Sequence, residues 1–244
     1  MKIFDCFPFF NEFDLLRLRI ACLEDLVDRF VVVQARQMHS GRPKPLYLSE
    51  SSAADLVRHP KVVVRAVDLP AGDTDWGRDQ FQRDRIGDVL AELGAAPQDL
   101  ILVSDVDEIP ARAAVERARA YLRAAGERTI LAFEQRLFYF RLNFELVWSR
   151  KLPWLGTVAA LHGQATSING LRMTGRKLRG RHARGFDRGA RVFQLPDGGW
   201  HFSYLGGDDA LNQKVLAHQE HGAKQRHAGP IGEIIRNRQS LYPR

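Results

Sequence analysis

Leu100-Ile101-Leu102-Val103 runs without a break into Ser104-Asp105-Val106-Asp107-Glu108. Four such apolar residues predict a buried strand. At the carboxyl end of a parallel strand, side chains project into the crevice where open α/β sheets bind ligands. Asp105 and Asp107 are two residues apart, so on an extended backbone both point the same way. Carboxylates that close repel unless a cation lies between them. Hard oxygen donors suit Mg²⁺ or Mn²⁺, and such an ion would neutralise a diphosphate. The competing reading is a polar turn in which an aspartate caps a helix starting at Ala111.

These acids need a scaffold, and the first 130 residues supply one by alternating strand and helix patterns. Lys2 to Cys6 is a short apolar strand. Asn11 reads as a helix N-cap with Asp14 in a box-like position, and Leu16, Ile20, Leu23 and Val27 follow at helical spacing. The β-branched run Arg29 to Gln34 predicts a buried strand, His39 to Pro43 a loop, and Lys61 to Val67 a third strand. A helix is expected over Asp79 to Leu93, ended by Gly94, and another from about Ala111 to Ala125. This rhythm argues for an open, mostly parallel, Rossmann-like α/β sheet flanked by helices. Thr129 to Phe144 reads as strand and Trp148 to Gly170 as loop. Arg191 to Leu195 and Trp200 to Tyr204 read as two strands joined by a Pro196-Asp197-Gly198-Gly199 turn. Helices are expected from Asp208 to about Glu220 and over Ile231 to Arg238. The expectation is one domain over 1–244: a nucleotide-binding half, 1–130, and an acceptor-side half, 131–244.

Composition narrows the function. The chain has 244 residues, is 45% hydrophobic and carries a net charge of +7. That hydrophobic share excludes a disordered chain, and no stretch approaches the roughly 18 to 20 apolar residues of a spanning helix. Asp5 comes too early for a signal peptide, and Cys6 and Cys22 make no disulfide scaffold or zinc site. A reduced, cytoplasmic protein is therefore expected. Eight of the 36 basic residues fall between Arg172 and Arg191, against one acid, Asp187. A nucleic-acid binder more often spreads its cations over a whole face, so no nucleic-acid partner is expected. One basic segment suits an anionic ligand or peripheral contact with the inner membrane surface. The bland alternative is a loop of solvated arginines.

Two enzyme classes place Asp-x-Asp after a buried strand: nucleotide-sugar glycosyltransferases, and phosphatases with an aspartate nucleophile. The phosphatases carry the motif near the N-terminus, with Thr or Val after it and a Lys before later acids. Here it is mid-chain, Glu108 follows, and Lys177 is the one lysine suitably placed. The ordered matches are more specific. Phe4-Asp5-Cys6-Phe7 with Asn11 to Leu16, Val27 to Val33, His39-Ser40-Gly41, Lys44-Pro45-Leu46, Trp76 with Asp79 and Gln82-Arg83, Ser104 to Pro110, Gly156-Thr157, and Gly199 to Tyr204 with Lys214 resemble glycosyltransferase family 17. The similarity runs over roughly residues 3 to 220.

That resemblance implies a GT-A-like fold and inverting transfer of a sugar, GlcNAc being the best match, from a UDP-sugar to a glycan or lipid-linked acceptor. It implies Mn²⁺ or Mg²⁺ at Asp107 with Asp105 nearby, where the ion would offset leaving-group charge. His201 would complete the metal shell, or is a hydrogen-bonded structural histidine. An inverting transfer needs a carboxylate base. Asp209 is the expected base with Asp208 beside it, although a helix N-cap accounts for an acid there equally well; Glu134 and Glu145 come next. Arg83 would reach the diphosphate or brace the metal acids, or is a solvated helix arginine. Phe7 and Asn11, at the end of the first strand, would hold the nucleotide. Trp76, Phe138, Tyr139, Trp148, Trp154 and Trp200 could stack on rings, and each reads equally as core. Gln34 stands where the family usually has Glu, so a donor or acceptor contact differs there. This departure keeps open the alternative of a non-catalytic nucleotide-sugar or glycan binder.

Overall fold

The computed structural model describes residues 1–50, 54–126, 128–146, 154–176 and 189–205. Four parallel strands start the sheet: β1 (Ile3–Phe9), β2 (Arg29–Ala35), β3 (Val62–Val67) and β4 (Leu100–Val103), in the order β3-β2-β1-β4. Both faces of these strands are covered, so their apolar residues divide by alternation. Ile3, Phe7 and Phe9 of β1 pack with α1 (Phe13–Leu23) and α5 (Arg112–Ala124). Phe4 and Cys6 face the other way and pack with α4 (Asp75–Glu92) and α6 (Ile168–Arg176). Two short helices, α2 (Tyr47–Glu50) and α3 (Ala54–Arg58), lie between β2 and β3. Among the described residues no helix is long and apolar enough to cross a membrane.

The second half of the sheet departs from the expected parallel pattern. β7 (Trp154–Leu161) runs antiparallel between β4 and β6 (Thr129–Tyr139). β8 (Arg191–Ser203) is parallel to β6, and β5 (Glu108–Pro110) is antiparallel to β8 at the sheet edge. The sheet is therefore mixed, in the order β3-β2-β1-β4-β7-β6-β8-β5.

Several local expectations change with it. The cap of α1 is Glu12, not Asn11, and its carboxylate turns back to accept the N–H groups of Phe10 and Asn11. α4 begins four residues early because the Thr74 hydroxyl caps it, accepting from Gly77 N at 3.0 Å. β7 replaces part of the expected Trp148–Gly170 loop: burial on both faces selects a strand despite its small residues and Gly156. Pro196 to Gly199 is no hairpin turn. β8 continues through it as one strand with a register break, Asp197 taking φ 51° and Gly199 φ 130°. The helices expected over 208–220 and 231–238 lie outside the described residues.

Candidate active site

The carboxyl ends of β1, β2 and β4 open onto a cleft of about 390 Å³, closed on the far side by α4, α6 and the end of β8. Its volume is in the range that takes small-molecule ligands. Asp105 and Asp107 reach it from the turn after β4, Arg83 from α4, Arg172 and Arg176 from α6, and His201 from β8.

The turn is shaped from beneath by Arg19. This α1 side chain is fully buried. Its Nε and Nη2 donate to both oxygens of Asp5 at 2.7 and 2.6 Å. Nη2 also donates to Ser104 Oγ at 2.6 Å, and Nη1 to the carbonyls of Asp105, Val106 and Glu108 at 3.0, 3.3 and 2.9 Å. The carbonyl of Asp107 is taken from the other side by Phe202 N at 2.8 Å. One cation thus gathers three carbonyls of a reversing backbone; Asp105 O also accepts from Glu108 N and Glu108 O from Thr157 Oγ1, while Val106 O depends on Arg19. The Phe7 ring lies 4.4 Å from the Arg19 Cζ. Arg19 carries a sequence signal that was open to reading: it shares the apolar face of Leu16, Ile20 and Leu23, where a charge demands a buried partner.

Above the turn, charges alternate along the cleft wall. Asp79 pairs with Arg83 at 3.1 Å, Arg83 with Asp105 at 2.8 Å, Asp105 with Arg172 at 3.0 Å, and Arg172 with Glu108 at 2.6 Å. Glu108 is fully buried and also accepts from Asp105 N and Trp154 Nε1 at 2.9 and 2.8 Å. Burial disfavours the charge on Asp105, but Arg83, Arg172 and Arg176 outweigh it and hold the carboxyl well below its usual range. Burial likewise opposes the charge on Arg83, and Asp79 with Asp105 more than offsets it, leaving the guanidinium harder to deprotonate than usual. A bulge contributes a further contact. The β6–β7 register shifts at Gly156-Thr157, and the freed Gly156 carbonyl accepts from Arg172 Nη1. Bulges recur beside sites because they re-aim single groups in this way.

Asp107 has a different neighbour. Its Oδ1 lies 3.6 Å from His201 Nε2, with both side chains about nine-tenths buried. The antiparallel β5–β8 ladder sets this meeting by placing Glu108 opposite His201. The spacing is long for a hydrogen bond, and His201 Nδ1 is buried with no hydrogen-bond partner among the described residues. The carboxylate suits Mn²⁺ or Mg²⁺, and the imidazole favours Mn²⁺ of the two, because Mg²⁺ takes oxygen donors. Among the described residues no three His, Cys, Asp or Glu side chains gather closely enough to hold a metal by themselves. Asp107 and His201 would therefore hold an ion only with its remaining positions filled by water or other oxygen ligands. Asp105 faces arginines instead: Oδ1 accepts from Arg83 and Oδ2 from Arg172.

The profile of "Glycosyltransferase family 17" matches residues 1–205. The chain belongs to glycosyltransferase family 17. Over 118 residues it is 33% identical to the β-1,4-mannosyl-glycoprotein 4-β-N-acetylglucosaminyltransferases of Homo sapiens and Rattus norvegicus. That stretch is 46% of this chain and 22% of each relative, so it spans less than a quarter of their length. Among solved structures, the chain is similar to 2-C-methyl-D-erythritol 4-phosphate cytidylyltransferase of Francisella tularensis, at 11% identity and TM-score 0.37 over 67% of this chain and 74% of that one.

For this family member, the cleft brings together Arg83, Asp105, Asp107 and His201. Phe7 and Gln34 are fully buried and do not line it. Gln34 donates to Ser49 Oγ at 3.1 Å and accepts from Leu48 N at 3.3 Å, so it ties α2 to the sheet. Asn11 stands between Phe10 and Glu12, which do line the cleft. Of the aromatics, Trp76 and Trp154 face it, whereas Phe138 and Tyr139 are buried in satellite clusters and Trp200 packs against one. Glu145 is bound to Arg136 at 2.8 Å, and neither it nor Glu134 lines the cleft. Asp208, Asp209, Trp148, Lys214 and residues 177–188 of the basic segment lie outside the described residues.

Proposed function

We propose that this protein transfers GlcNAc, with inversion, from a UDP-sugar to a hydroxyl of a glycan or lipid-linked acceptor, in the cytoplasm at the inner membrane surface. Family membership supports the reaction class, and the naming of its relatives supports the sugar. The meeting of Asp107 and His201 beside an arginine-lined cleft is the observation that carries the metal-dependent form. Breaking the anomeric C–O bond puts negative charge on the leaving diphosphate. Mn²⁺ or Mg²⁺ held by Asp107 and His201 would offset that charge as a Lewis acid. The protein's own part is to fix those two side chains, which Arg19 and the β5–β8 ladder do, and to line the cleft with cations. Asp105 acts through Arg83 and Arg172, keeping both guanidinium groups oriented on the wall. Deprotonation of the acceptor is assigned to Asp209, with Asp208 beside it. A GT-A-like reading fits the parallel β1–β4 half with the Asp-x-Asp turn at its carboxyl edge.

The test is UDP release from a panel of UDP-sugars, with Mn²⁺ or with EDTA, for wild type and Asp107→Ala. Release from one donor, dependent on metal and lost in the variant, is expected. Release that persists in EDTA would remove the metal from the mechanism. Metal-dependent binding of a donor with no turnover on any glycan or lipid-linked acceptor tried would favour a non-catalytic binder.

A further inference from the structure

We infer that Arg176 is the anion-binding residue of the cleft, and that its ligand is a phosphate-class group lying next to the Asp107–His201 pair. The inference deepens the donor reading above and rests on it for the identity of the nucleotide, not for the existence of the anion site.

The argument is one of pairing. Among the described residues three arginines line the cleft, and two are already committed. Arg83 is held between Asp79 and Asp105, and Arg172 between Asp105, Glu108 and the Gly156 carbonyl. A ligand phosphate competing for the Nη groups of either would break a buried ion pair, which leaves a carboxylate stranded, and leaves of Arg172 the buried Nε alone. Arg176 forms no ion pair with any described residue. Its guanidinium lies over the Trp154 ring, 4.7 Å from the centroid. Burial and the like charge of Arg172 make its cation less favourable than an ordinary arginine's. An anion relieves both penalties at once, and the planar fork offers paired N–H donors that match phosphate oxygens.

Trp154 also locates the site. The indole that carries Arg176 is 4.8 Å from the His201 ring, centroid to centroid, and its Nε1 is fixed by Glu108. One rigid side chain thus sets a cationic group and the proposed metal ligand side by side. That juxtaposition suits a group whose oxygens meet a metal on one side and a guanidinium on the other. The diphosphate of a nucleotide donor has this chemistry, and so does a phosphorylated acceptor.

The test uses the full chain in Mg²⁺ with inorganic pyrophosphate, UDP and uridine as probes, by titration calorimetry. Arg176→Gln should weaken pyrophosphate about tenfold to a hundredfold, the worth of one charge-assisted contact, and leave uridine unchanged. Arg176→Lys should recover part of the loss, keeping the charge without the planar fork. If UDP competes with pyrophosphate, the anion belongs to the donor; if both bind together, it belongs to the acceptor. Pyrophosphate binding through Arg176 with no binding of UDP would sustain this site and overturn the nucleotide reading. Unchanged pyrophosphate affinity in folded Arg176→Gln, or none in the wild type, overturns the inference.

Discussion

Replacing Arg19 with Met tests whether one buried guanidinium sets the shape of the Ser104–Glu108 turn. The substitution keeps most of the side chain's volume and removes its charge. It strands Asp5, whose two oxygens accept from Arg19 at 2.6 and 2.7 Å with both side chains wholly buried. It also removes one donor from each of the carbonyls of Asp105, Val106 and Glu108; Asp105 keeps Glu108 N and Glu108 keeps Thr157 Oγ1, so the Val106 carbonyl is the one stranded. Removing one partner of a buried pair costs about 3 to 5 kcal/mol. At about 2 to 4 °C per kcal/mol for a chain of this size, the melting temperature should fall by about 6 to 20 °C. Arg19→Met with Asp5→Leu removes both charges and should regain much of that loss, but not the turn. The double variant should therefore melt nearer the wild type while its metal-dependent turnover stays low. The assay is thermal unfolding by circular dichroism, paired with UDP release across a Mn²⁺ titration. A fall of less than about 2 °C for Arg19→Met, with wild-type metal dependence in the double variant, would refute the reasoning.

Other perturbations probe the same wall. Asp105 has its folded carboxyl held below the value of about 3.9 it has when unfolded, because Arg83, Arg172 and Arg176 outweigh burial. Its contribution is thus complete above that pH and is lost as acidification carries the folded protein through the lowered value. Asp105→Asn should lower stability at neutral pH and flatten the acid limb in urea titrations run from about pH 3 to 7. Gly156→Ala would drive a methyl into the amide of Gln135, 2.7 Å from its Cδ, and to 3.3 Å from the Glu108 Cδ. Overpacking of this kind costs about 1 to 3 kcal/mol, and thermal melts should show it with a loss of turnover, since Arg172 bonds that residue's carbonyl. Gly199→Ala should destabilise at least as much, having φ 130° and a Cβ that would lie 2.7 Å from Ala111 N.

The legible parts of the chain were those whose signal is local. The β-branched run of β2 and the apolar tetrad of β4 declare buried strands by composition, and Asp-x-Asp marks the strand end that matters. What escaped depends on distant partners. β7 is spelled in small residues and becomes a strand because β4 and β6 cover both its edges. The Pro196-Asp197-Gly198-Gly199 stretch carries every residue of a reverse turn, yet β6 holds both of its flanks in one parallel ladder. The pair Asp105 and Asp107 was expected to act together, on the premise of an extended backbone. The turn instead sends them to different partners, arginines for one and His201 for the other. Gln34 looked like a ligand contact because of its place in the pattern, and only the packing of α2 reveals its structural bonds.

The three-residue β5 has one neighbour in the sheet, β8, the last described strand in sequence. Contacts that bridge so much chain are slow to form, because closure entropy is lost before any bonding is gained. During synthesis, β1 to β4 and the Arg19 clamp have all emerged while the rim of the Asp-x-Asp turn still lacks its pairing strand. Assembly of the Asp107–His201 corner therefore waits on the arrival of His201. A nascent or truncated chain that already folds its parallel half still lacks the cleft wall that β8 supplies.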